Sequence, residues 1–130
     1  MEGKLAILFI PMFRIKFWIN RLSHPLRGLK YAFVHDFAIR FELIFGAIGL
    51  VGLHFFFGPF SAGEQLLLLF CWFFVIVTEL QNSAIETALD KIHPERHEEI
   101  GRSKDLAAAS VVWAATFGLV SLIFVLLDKF

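Results

Sequence analysis

The stretch from Thr78 to Asp105, TELQNSAIETALDKIHPERHEEIGRSKD, follows an uncharged apolar run, LLLLFCWFFVIV, at positions 66–77. Read as one helix, Glu79, Asn82, Ser83, Glu86 and Asp90 recur at i, i+3, i+4, i+7 and i+11 and share a face. The polar face therefore continues a membrane-spanning helix. An ionisable residue at such a depth costs about 2.5–3.5 kcal/mol on insertion scales and marks a functional site by default. A plain polar stripe gluing helices together is the competing explanation. Two carboxylates with Asn82 between them suit a site for a cation and a proton better.

The whole composition agrees with a bilayer. Of the 130 residues, 58% are hydrophobic and 17 are Phe, against about 45–50% apolar in soluble domains. Mean hydropathy is +0.71. Cys71 is the sole cysteine, so no intrachain disulfide forms and a thiolate metal site is not expected. The formal net charge is zero, and nothing in the pattern points to nucleic acid. Three short spans leave one protomer little interior, so an oligomer is expected.

Residues 1–40 form a surface segment. Arg14, Lys16 and Arg21 interleave with Phe13, Phe17 and Trp18, a mixture suited to the headgroup region. Pro11 interrupts the apolar part and no small-residue cleavage site follows, so a signal peptide is not expected. From Leu26 to Arg40, Leu26, Leu29, Phe33 and Phe37 share one face, predicting an interfacial amphipathic helix bounded by Pro25. Asp36 within it can pair with Arg40 at i+4.

The first span is expected over about 41–57, with Gly46 and Gly49 admitting a close neighbour and His54 as an interfacial residue. Residues 58–63, GPFSAG, make a turn. The second helix is expected over about 62–92, longer than a span requires, so that it lifts Glu86 and Asp90 out of the hydrocarbon. Glu79 falls roughly 25 Å along it from Ala62, near the far edge of a ~30 Å core. After the polar loop HPERHEEIGR (93–102), a third span is expected over about 103–127. Ser103 is its expected cap, and Ala107, Ala108, Ala109, Ala114, Ala115 and Gly118 its packing surface.

Lys and Arg set the expected orientation. Lys4, Arg14, Lys16, Arg21, Arg27, Lys30 and Arg40 precede the first span, and Lys91, Arg96, Arg102 and Lys104 flank the second loop. The first loop has neither type, and Lys129 alone follows the last span. The N-terminus and second loop are thus predicted cytoplasmic, with the C-terminus periplasmic or extracellular.

No G-x-x-x-x-G-K-[ST] loop and no kinase-like Gly-rich loop is present. Acidic residues for a divalent ion, Arg102 and Lys104 for phosphates, and a carboxylate at membrane depth remain. Phosphoryl transfer needs those parts and little covalent chemistry.

The run Glu79-Leu80-Gln81-Asn82-Ser83-Ala84-Ile85-Glu86, followed by Asp90, Glu95, His97 and Gly101-Arg102-Ser103-Lys104-Asp105, resembles the prokaryotic diacylglycerol kinase family of small integral-membrane lipid kinases. The similarity extends more loosely from about Leu26 to Leu127. It implies a single integral-membrane kinase domain over residues 1–130, an all-α homotrimer with shared active sites in the bacterial inner membrane. Glu79 would be the general base on the lipid hydroxyl, and Asp36 with Glu86 would hold Mg²⁺ on the phosphates of ATP. The family carries Glu where this chain has Asp36, one methylene shorter.

The resemblance further assigns Asp36, Glu86, Glu95, Arg96, His97, Lys104 and Asp105 to ATP, and Ile39, Arg40, Phe41, Glu42, Glu79 and Ala108 to the lipid. Asn82, Ser83, Asp90 and Arg102 would support them. The family usually has an Arg about eleven residues before Gly28, where this chain has Phe17 beside Lys16. The expected reaction is phosphorylation of diacylglycerol to phosphatidic acid. Undecaprenol phosphorylation is the alternative within the family. A non-enzymatic helical membrane protein, or a cation-conducting oligomer built on Glu79, is the alternative of another class.

Overall fold

The computed structural model describes residues 2–130, with side chains from Phe17 onward. It is all-helical: α1 (Glu2–His35), α2 (Phe37–Phe57), α3 (Ala62–Ile92) and α4 (Glu98–Leu127). The chain divides into α1 and a second body from Asp36 to Phe130. Helices α2, α3 and α4 are each long and apolar enough to cross a membrane.

Helix α1 runs through Pro25 rather than starting there. A proline inside a helix strips the carbonyl four residues earlier of its donor. That carbonyl belongs to Arg21, an exposed residue, so solvent or headgroups can serve it. From Phe17 onward the side chains are nearly all exposed, with Leu22, Leu26 and Leu29 set among Arg21, Arg27 and Lys30. The expected interleaving of Arg14 and Lys16 with Phe13 lies outside the described side chains.

The expected helix over Leu26–Arg40 is instead cut at Asp36. This residue is extended (φ −104°, ψ 120°), and its Oδ1 accepts from the backbone N–H of Ala38 at 2.9 Å and of Ile39 at 3.3 Å. Those donors are orphans of a helix start, and an Asp cap is worth about 1 kcal/mol. The first membrane helix consequently begins at Phe37, four residues earlier than position 41. Periodicity ran through the break because both flanking segments are helical.

Helix α3 matches its expected bounds. Ser61 and Glu64 form a reciprocal capping box at its start, directly after the 58–61 turn. Its 31 residues amount to about 46 Å, some 16 Å beyond a ~30 Å core. Helix α4 starts at Glu98, capped by His97, whose Nδ1 accepts from the N–H of Glu99 at 3.3 Å. Ser103 is not the cap. Its hydroxyl donates to the Glu99 carbonyl inside the helix, so the last helix also extends below the hydrocarbon.

Helix α3 packs far more heavily on α4 than on α2. Buried Ala107, Ala114 and Ser121 on α4 are seven residues apart, and Leu68, Cys71, Thr78 and Asn82 on α3 keep 3-, 4- and 7-residue steps. That is the seam of a left-handed helix pair. Ala108 and Ala115 are exposed on the single chain. At the far end Phe60, Leu68 and Val125 make a small core. Lys129 closes it, its Nζ 3.0 Å from the Pro59 carbonyl and 3.0 Å from Glu64 Oε1, above the Phe60 ring. The C-terminus and the first loop therefore share one end of the bundle.

Candidate functional site

Opposite that end, the polar face of α3 meets the start of α2. Glu79 is buried to 9% exposure and Asn82 likewise. Ser83 donates its hydroxyl to Asp36 Oδ2, so the carboxylate that caps α2 is also tied to α3. Asp36 is thus brought to the face of α3 that carries Glu79 and Glu86, with Glu42 six residues further along α2.

Two polar atoms here are sealed from solvent without a hydrogen bond: Glu42 Oε2 and Asn82 Oδ1. The Asn82 amide reaches Glu86 Oε1 at 3.5 Å. Buried unpaired oxygens cost about 1–3 kcal/mol each, and a site that tolerates them is built for something that arrives later. Among the described residues no three His, Cys, Asp or Glu side chains form a ready metal cage. Mg²⁺ is commonly held by one or two carboxylates plus substrate phosphates. The hard-oxygen donors Asp36 and Glu86 fit that pattern.

Beyond the polar face lies the loop between α3 and α4. It borders a cavity of about 250 Å³ lined by Asp90, His93, Glu95, Arg96, His97 and Lys104. Lys104 bridges from α4 to Asp90 on α3 as an ion pair, and the rings of His93 and His97 lie 6.3 Å apart. Arg102 pairs with Glu98 and Glu99 along its own helix, and Asp105 is exposed.

The expected lipid contacts divide. Phe41 is 49% exposed and stacks on Phe45, centroids 4.4 Å apart; Ala108 is exposed and Arg40 half-buried. Ile39 is fully buried at 1%.

The close neighbour expected at Gly46 is Trp72, and none is found at Gly49. Trp72 Nε1 donates to the Glu42 carbonyl at 3.0 Å. Its indole occupies the space that a Cβ on Gly46 would take. The only signal was a large aromatic and a glycine on facing helices, and no periodicity pairs those two positions.

A family model described as Prokaryotic diacylglycerol kinase matches residues 23–126. Among similar proteins, a diacylglycerol kinase of Haemophilus influenzae is 43% identical over 93 residues, covering 72% of this chain and 77% of that protein. One of Escherichia coli is 30% identical over 103 residues, 79% of this chain and 83% of the relative. One of Pseudomonas aeruginosa is 31% identical over 98 residues, 75% and 78% respectively.

Proposed function

We propose a reaction from one premise: this chain belongs to the prokaryotic diacylglycerol kinase family and is a lipid kinase. Its reaction is transfer of the γ-phosphoryl group of ATP to the free hydroxyl of diacylglycerol, giving phosphatidic acid and ADP. Proteins carrying the name diacylglycerol kinase are its relatives, which favours that lipid over undecaprenol. The observation that carries the site is the buried Glu79 on the α3 face to which Ser83 ties Asp36.

In this reading the lipid hydroxyl enters beside Glu79 at the membrane edge. Its oxygen forms the new bond to Pγ, the Pγ–O bond to the β-phosphate breaks, and the hydroxyl proton passes to the Glu79 carboxylate. Glu42 lines the lipid side. Asp36 and Glu86 would hold Mg²⁺, which would neutralise phosphate charge. Lys104 and Arg96 take the phosphates by charge, and Glu95 and His97 line the nucleotide cavity with Asp90. Asp105 also serves the nucleotide, with Arg102 in support. Three protomers share active sites, and α1 lies among the headgroups. The exposed Phe41, Phe45 and Phe73 suit acyl chains or a neighbouring protomer.

The deciding assay offers purified protein labelled ATP with diacylglycerol and undecaprenol side by side in mixed micelles. Labelled phosphatidic acid is expected. Label in undecaprenyl phosphate alone moves the chain to the alternative branch, and label in neither lipid defeats both.

Orientation has its own test. With the first loop and the C-terminus at one end, reporter fusions after Gly63 and after Phe130 should both read the non-cytoplasmic side. A cytoplasmic signal at either would put the site away from ATP.

A further inference from the structure

We propose that Trp72 and Gly46 form a clasp that positions Glu42, and with it the lipid acceptor, against Glu79. The inference rests on the lipid-kinase reading and names two positioning residues for it.

The depth of Trp72 is the first clue. It lies ten residues into α3, roughly 15 Å from the helix start and near the middle of a ~30 Å core. Membrane tryptophans gather at the interfaces, where the indole N–H meets water or headgroups. At mid-span that N–H needs a protein partner, and it takes the Glu42 carbonyl at 3.0 Å. Inside a helix that carbonyl already serves the N–H of Gly46; a carbonyl has two lone pairs, and Trp72 uses the second.

Space is the second clue. A Cβ at Gly46 would overlap Trp72 Nε1 and Cδ1, so the indole reaches the carbonyl only because residue 46 has no side chain. Nothing comparable holds at Gly49 or Gly52, where an added Cβ meets nothing within 4 Å. The glycine requirement belongs to this contact.

Leverage is the third. α2 is lightly packed on α3, so its rotation and depth depend on few ties. Ser83 holds the cap at Asp36, and Trp72 holds the helix at Glu42. These ties bracket the turn that carries Ile39, Arg40, Phe41 and the Glu42 side chain, whose sealed Oε2 awaits a partner. Loosening one tie shifts the lipid side while leaving the loop cavity, built from α3 and α4, as it was. A misplacement of about 1 Å can cost ~10²-fold in rate.

The test compares Trp72→Phe, which keeps a ring and deletes the donor, with Gly46→Ala, Trp72→Leu and the Gly46→Ala/Trp72→Leu pair. Trp72→Phe should lower kcat for diacylglycerol about tenfold, with the KM for ATP and the unfolding midpoint unchanged. Gly46→Ala should lose about 100-fold, and the double variant should be no worse than Trp72→Leu alone. A second readout needs no turnover: the Trp72 indole ¹⁵N–¹H resonance, identified by its loss in Trp72→Phe, should move with diacylglycerol and not with Mg-ATP.

Trp72→Phe within twofold of wild type, a parallel rise in the ATP KM, or fully multiplicative losses in the double variant would each overturn the clasp. So would an indole resonance unmoved by lipid. Wild-type protein inactive on diacylglycerol would strike at the lipid assignment instead, and the indole response to diacylglycerol and undecaprenol would still decide the clasp.

Discussion

Glu79→Gln is expected to lower phosphoryl transfer by about 10²–10⁴-fold while Mg-ATP binding persists. The substitution is nearly isosteric, so the 9% exposed side chain keeps its packing and loses only its charge and basicity. A neutral amide is cheaper to keep buried than a carboxylate, so the unfolding midpoint should hold or rise. Loss of activity without loss of stability is the signature of a group kept for chemistry at a cost in fold energy. Initial rates in mixed micelles and equilibrium binding of Mg-ATP read the two halves. A Gln variant retaining more than about a tenth of wild-type turnover would show that Glu79 is not the base.

Much of this architecture was legible because bilayers impose long uniform runs. Helix α3 matched its expected bounds of 62–92, since GPFSAG and HPERH punctuate it on both sides and the Ser61–Glu64 box starts it. The edges that shifted were set by contacts remote in sequence. Asp36 cuts the α1–α2 periodicity because it caps α2 and receives Ser83, 47 residues away. Ser103 looked like a cap by residue type, yet His97 holds that position and Ser103 bonds back into its own helix. The site's carboxylates could be named from their spacing on one face. Asp36 was set beside Glu86 only by the resemblance, and Trp72 as the partner of Gly46 has no period to betray it.

Asp36 carries the second large expected effect, and its cap role changes which variants can reveal it. Oδ1 serves Ala38 and Ile39, and Oδ2 accepts from Ser83; a carboxylate so engaged still has lone pairs for a hard cation. Asp36→Ala removes cap and charge together, so any loss it shows is ambiguous, with about 1 kcal/mol of it owed to the cap alone. Asp36→Glu restores the length usual in the family but reaches past the Ala38 and Ile39 donors, so only partial tolerance is expected. Asp36→Asn separates the roles. Asn caps a helix as well as Asp does, and it lacks the negative charge a divalent ion needs. The Asn variant should unfold within about 0.5 kcal/mol of wild type, the range of a neutral substitution. It should also need at least the 10–100-fold more free Mg²⁺ that even outer-shell losses bring. Titrating activity against free Mg²⁺ for Asn and Ala side by side reads both. A wild-type Mg²⁺ curve for Asp36→Asn would leave Asp36 as the hinge residue that starts α2 and steadies it on Ser83, with Glu86 as the carboxylate on the metal.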